Sequence, residues 1–164
     1  MPHRWAYVKF LYKKGPATNT TSYRPTSIGT VLARIVASHV REHLEHAFAE
    51  SGIVHPAQCG FRADRSTWTA GLNIRAAIHR KREYHLLLVD VAKAFDNLDW
   101  VQLISFLEYV GVDRGTTDTI RNLYGNTRLC PSVLGYHPVA VPMTRGVRQG
   151  CVLSPLLWNV WSSM

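Results

Sequence analysis

Asp90 closes the apolar run Leu86-Leu-Leu-Val89, and Phe95, Asp96 and Asp99 follow closely. Apolar residues leading into a lone carboxylate predict a buried strand, Tyr84–Val91, that delivers an acid to the edge of a sheet. Burying charge is costly, so an acid placed there holds a metal, a cation or a hydrogen-bond network. As a ligand, Asp90 could hold Mg2+ while substrate phosphates and waters complete the octahedron, an arrangement that suits phosphoryl transfer. The alternative is a capping or ion-paired acid at the sheet rim. Asp96 and Asp99 fit structural roles better, because each sits where a helix start favours an acid. Phe95 is placed to lie beneath the sugar of any nucleotide that Asp90 meets, where its ring would exclude a 2′-hydroxyl; otherwise it is a core aromatic.

Three further groups carry chemical potential. The loop Thr144-Arg-Gly-Val-Arg-Gln-Gly-Cys151 combines two glycines and two arginines ahead of a predicted helix start. Glycines permit close backbone approach and helix starts favour anions. Within this loop, Gln149 offers an amide for a base or sugar. Lys13, Lys14 and Arg24 bracket an early loop, and Pro25 holds Arg24 extended, so its guanidinium could reach a phosphate; surface charge is the alternative and the preferred reading for Lys13. Phe61, Arg62 and Arg65 could grip a nucleic-acid strand by stacking and charge neutralisation, or Phe61 could pack on helices while Asp64 pairs with an arginine. His39, His43 and His46 share a predicted helix, but no HExxH pattern accompanies them and a solvated face fits better than a zinc site.

The bulk properties suit a polyanionic partner. The 164 residues are 46% hydrophobic and 18% charged, a globular composition sufficient for one domain. Lys and Arg outnumber acids 19 to 11, giving +8. Three scattered cysteines with no CxxC pair suggest a reducing, intracellular setting. No apolar run is long enough to span a membrane, and the first residues lack a secretory apolar core. Asn19-Thr-Thr21 is formally a glycosylation sequon but reads as a polar loop.

The elements that must position these groups follow from periodicity. Arg4–Lys13 predicts a strand and Lys14–Ser22 a loop. Ser27 is the expected cap of a helix with Ile28, Val31, Leu32, Ile35, Val36, Val40, Leu44 and Phe48 on its apolar side, ending near Gly52. After a loop over His55–Asp64, Ser66 caps a second helix reaching about Arg82. Strand Tyr84–Val91 comes next, then a helix capped by Asp99 and stopped near Gly111, and a shorter helix over Thr116–Tyr124. Arg128–Leu134 and His137–Met143 predict two strands joined by a hairpin at Leu134-Gly-Tyr-His137. Pro155 opens a last helix. The mixture of helices with sparse strands predicts one compact α+β or α/β unit.

The ordered blocks KKGPATNTTSYRPTSI, HPAQCGFRADRST, LLLVDVAKAFDNLDW and TRGVRQGCVLSPLLWNV resemble the reverse transcriptase of non-LTR (LINE-type, R2-like) retrotransposons across about residues 8–160. The resemblance implies a right-hand polymerase fold, with residues 1–164 a single incomplete domain of fingers and the front half of the palm. It implies RNA-directed DNA synthesis from a DNA primer on an RNA template, using dNTPs and two Mg2+ ions (Mn2+ as a substitute). Asp90 would be a metal-binding catalytic aspartate with the Val91 carbonyl beside it, and Phe95 the sugar gate. Gln149 and Gly150 would line the nucleotide site, Lys14 and Arg24 would hold its triphosphate, and Phe61, Arg62 and Arg65 would meet nucleic acid. The family completes its metal site with a later Asp-Asp hairpin, and no Asp-Asp pair occurs here. The expectation is therefore an isolated chain without activity, either part of a longer polyprotein or a catalytically dead, nucleic-acid-binding remnant. A metal-dependent phosphatase built on Asp90 is disfavoured, because Ala92 stands where its second acid would be.

Overall fold

In a computed structural model, residues 4–49, 51–80, 83–133, 136 and 139–164 are described. Strand β1 (Trp5–Tyr12) alternates inward Ala6 and Val8 with outward residues, the period-two pattern of a half-covered sheet. It pairs antiparallel with β2 (Tyr23–Gly29), in register from Tyr12 opposite Tyr23 to Ala6 opposite Gly29. The connection turns through Thr20–Ser22, where Asn19 accepts a hydrogen bond from the Thr21 N–H. Among the described residues five α-helices follow: α1 (Val31–Ala49), α2 (Thr67–Arg80), α3 (Trp100–Tyr109), α4 (Arg114–Tyr124) and, after the last strands, α5 (Ser154–Trp161). Strand β3 (Arg128–Ser132) returns parallel to β1, and β4 (Val141–Pro142) pairs antiparallel with β3, so the sheet order is β2-β1-β3-β4. The α+β expectation holds.

The core lies among the helices. Ala37, Val40 and Leu44 of α1 meet Leu98, Leu103 and Leu107, together with Ile120, Tyr124, Val147, Leu153 and Leu157, all essentially buried. Asp99 caps α3 by accepting from the Gln102 N–H, and Pro155 occupies the first turn of α5, both as expected. Ser66 accepts from the Thr69 N–H at the start of α2; the expected end at Arg82 lies outside the described residues. Asp113 performs the same service for α4 through Thr116. The expected turn at 134–137 falls largely outside the described residues, although Val133 and Tyr136 form a bridge there. No helix is long and apolar enough to cross a membrane among the described residues.

Two expectations fail. Ser27 does not cap α1: the strand continues through it to Gly29, and Thr30 Oγ1 accepts from the Ala33 N–H instead. The helix starts later and its buried face shifts to Ala33, Ala37, Val40, Leu44 and Phe48, leaving Val31, Leu32 and Ile35 exposed. Cross-strand pairing with β1 outcompetes the short-range cap. The second failure is the strand Tyr84–Val91. Residues 84–91 pair with no strand among the described residues, and Leu87 and Leu88 are 84% and 82% exposed. An extended run forms a strand only where a neighbour accepts its hydrogen bonds, and the four-stranded sheet here does not reach it.

Candidate functional site

The loop over residues 144–153 joins the blocks that carry chemistry. Its backbone is fastened on one side to the turn around Phe95: Gly146 N–H donates to the Leu98 carbonyl (2.9 Å) and Val147 N–H to the Phe95 carbonyl (2.7 Å). On the other side, the Ser27 N–H of β2 donates to the Gln149 carbonyl at 2.6 Å. Both contacts require glycine. Gly146 and Gly150 have φ of +79° and +105°, and a Cβ would stand 2.6 Å from the Phe95 oxygen or 2.7 Å from the Ser27 oxygen. Arg145 Nη2 donates to the Asn97 carbonyl, and Gln149 Nε2 lies 3.5 Å from Asp96 Oδ1.

Phe95 connects this loop to the Cys59-Gly-Phe-Arg62 segment. Its half-buried ring lies 6.2 Å from the Phe61 ring and 6.2 Å from that of Trp158 in α5. Asn159, buried on the same helix, donates to the Gly60 carbonyl (2.9 Å) and accepts from Gln58 Nε2 (3.2 Å). Phe61 and Lys93, flanking the cluster in sequence, adopt left-handed backbone conformations (φ +56° and +49°) that side-chain-bearing residues seldom occupy. Arg62 is engaged internally, donating to the His55 carbonyl, whereas Arg65 lines a cleft of about 830 Å3, its solvent-open mouth included, with Gly60, Phe61 and Ser66. Two sequence-distant blocks are thus fastened to the loop, and the Phe61 segment joins them through the Phe95 ring and α5.

The remaining predicted residues sit differently. Asp90 and Val91 are exposed on the unpaired segment; Asp90 is neither buried nor on a sheet edge, correcting that part of the expectation. The chain becomes pinned just beyond them, where Asn97 Nδ2 donates to the Ala92 carbonyl. Arg24 is exposed on β2, opposite Leu11 and just ahead of the Ser27 that binds the loop. Lys14 is exposed at the far end of the ribbon. Among the described residues no three His, Cys, Asp or Glu side chains converge to hold a metal ion. One exposed carboxylate cannot compensate a pair of divalent cations, so the described residues alone do not fit a two-metal centre. The histidines of α1 make no such group either; His43 instead lies 3.5 Å from Asp113.

Sequence reasoning missed Arg148, Asn159 and Tyr124. Arg148 is 4% exposed and its guanidinium carbon lies 5.1 Å from the Tyr124 ring centroid, a cation–π contact. Burial, with Cys151 alongside, pushes the Tyr124 hydroxyl well above its ordinary range, and Ser154 and the Arg148 charge pull it partly back. Of these, Asn159 and Arg148 had a legible signal. Asn159 interrupts the apolar stripe of α5, and Arg148 directly follows the buried Val147, so each polar group enters the core and needs partners.

A four-stranded sheet thus lies beside a helical core, and a glycine-bearing loop is fastened to the strand of the YRP block and to the AFD turn. Residues 11–162 match the family described as reverse transcriptase (RNA-dependent DNA polymerase), and the chain belongs to that family. It is 30% identical over 166 residues to the retrovirus-related Pol polyprotein from type-1 retrotransposable element R2 of Popillia japonica, covering 97% of this chain and 23% of that protein. It is likewise 30% identical over 168 residues to the Pol polyprotein from type-2 element R2DM of Drosophila melanogaster, covering 98% of this chain and 15% of that protein. The transposon TX1 149 kDa protein of Xenopus laevis is 28% identical over 96% of the chain and 12% of its own length. The chain spans less than a quarter of the length of these relatives. Its non-LTR retrotransposon character is therefore a matter of kinship, as the ordered blocks implied.

Proposed function

We propose that this chain supplies the fingers and the front half of the palm of a non-LTR reverse transcriptase, binding template, primer terminus and incoming nucleotide for RNA-directed DNA synthesis. The observation that carries the reading is the fastening of Ser27 and the Phe95 turn to the loop that bears Gln149 and Gly150, with the Phe61 ring set against that of Phe95. In this reading the Phe95 ring lies under the nucleotide sugar and excludes a 2′-hydroxyl, while the Gln149 amide contacts base or sugar. Arg24 and Lys14 offset triphosphate charge, Arg24 by its planar fork. Phe61 stacks on a template base as Arg62 and Arg65 neutralise backbone charge. Asp90 and the Val91 carbonyl offer two oxygens toward a divalent cation, Mg2+ or Mn2+, whose chemistry is neutralising charge on the transferring phosphoryl group; a two-metal centre needs further acids from beyond the described residues.

The experiment is photolabelling. A deoxynucleoside triphosphate with a photoreactive base, presented with an RNA template and DNA primer, should label peptides within 91–97 and 144–151, saturably and in competition with unmodified dNTP. Saturable labelling confined to other peptides would overturn the reading. The isolated chain should not extend the primer.

A further inference from the structure

The Arg148 side chain poses a problem that nucleotide binding at Gln149 does not solve. Its guanidinium is buried, yet Nε and Nη1 have no hydrogen-bond partner among the described residues. No described acid forms an ion pair with it. A buried cation left unpaired is strongly disfavoured, and the Tyr124 ring face satisfies none of its N–H groups. The position is specific. Nη1 lies 3.6 Å from where a Cβ on Gly29 would stand, at the junction of β2 and α1.

A narrow cleft opens there, about 260 Å3 including its solvent-open mouth, lined by Ser27, Gly29, Arg34, Arg148, Gly150 and Cys151. Its enclosed part has room for about one water-sized atom. Three positive features share this cleft: the unpartnered guanidinium, Arg34, and the first turn of α1, whose N-terminal end carries partial positive charge. No acidic side chain lines it.

We propose that this cleft is an oxyanion site: one oxygen of a phosphate group enters the throat to meet the Arg148 guanidinium, and the remaining oxygens stay at the mouth beside Arg34 and the start of α1. The site stands on the Arg148 geometry and not on polymerase activity. Because Gly150 and Ser27 form one wall, an anion here would also brace the loop that presents Gln149. The phosphate could be free in solution or belong to a nucleotide; the throat chemistry is the same.

The test uses the 164-residue chain. Inorganic phosphate is titrated against chloride at constant ionic strength and read by calorimetry and by thermal shift. Saturable binding is expected, weakened at least tenfold in Arg148→Met and severalfold in Gly29→Ala, and unchanged in Arg114→Ala, an exposed arginine outside the cleft. Gly29→Ala adds a methyl that meets only Arg148 Nη1 at 3.6 Å and Ala33 Cβ at 4.0 Å, so it narrows the throat without breaking the fold and decides the matter if Arg148→Met fails to fold. Competition by a deoxynucleoside triphosphate would identify a nucleotide phosphate as the source, and its absence would leave free phosphate; both support the site. Non-saturable shifts, or equal affinity in wild type and Gly29→Ala, would overturn it.

Discussion

Replacing Gly146 by alanine isolates the contact that holds the glycine-bearing loop against the Phe95 turn. Two separate costs arise. The first is backbone strain: at φ +79° an alanine pays about 1–2 kcal/mol, partly offset by about 0.4–1 kcal/mol from a less flexible unfolded chain. The second is steric, since the new Cβ would stand 2.6 Å from the Phe95 oxygen, 2.7 Å from the Asp96 oxygen and 2.8 Å from the Asp96 Cα. Relief requires lengthening the bonds from Gly146 and Val147 to Leu98 and Phe95, each worth about 0.5–1.5 kcal/mol. Gly111 is the control. It has φ +89° and nothing within 4 Å of its would-be Cβ, so Gly111→Ala carries strain alone. Gly146→Ala should therefore be the more destabilising by about 2 kcal/mol, roughly 4–8 °C in Tm for a chain this size. Urea and thermal denaturation of the two variants measure the difference. If the two lose equal stability, the loop does not press on the Phe95 turn and the assembled site is wrong.

Asn159→Leu removes two bonds to the Gln58–Gly60 segment and takes the partner from the Gly60 carbonyl and from Gln58 Nε2, so stability should fall by about 2–3 kcal/mol and limited proteolysis should cleave faster within 55–65. Asp99→Ala deletes the α3 cap and should cost about 1 kcal/mol in urea denaturation without altering RNA affinity. Thr116 hydrogen bonds, and then His43, hold the Asp113 carboxyl below its ordinary value of 3.8. A depressed folded-state value adds stability above 3.8 that disappears as pH falls through the lower one, so the Tm gap between wild type and Asp113→Ala should close on acidification below about pH 4. Affinity for RNA should fall steeply with salt, and the log–log slope should flatten in a combined Arg24→Ala, Arg65→Ala variant, as filter binding would show.

Much of the site was legible because its restraints are local. The Asp99 cap, the Gly111 stop and Pro155 each act within a turn, so residue type and spacing reveal them. Gly146 and Gly150 were legible as points of close approach, though not what they approach. The unread features depend on distant chain. β2 extends through Ser27 because β1 pairs with it, a choice between two uses of one serine that its neighbours cannot decide. The apolar run Leu86–Val89 has the composition of a buried strand, but burial is a property of the partner, and no partner strand reaches it. Asn159 and Arg148 matter through contacts across most of the chain, with Gly60 and Gly29 respectively.

Primer extension in a longer polypeptide that contains this chain, with Asp90→Ala as the variant and RNA affinity as the control, tests the polymerase account most directly. DNA synthesis should vanish in the variant while template–primer binding stays within about twofold. Persistent synthesis without that carboxylate would contradict the account.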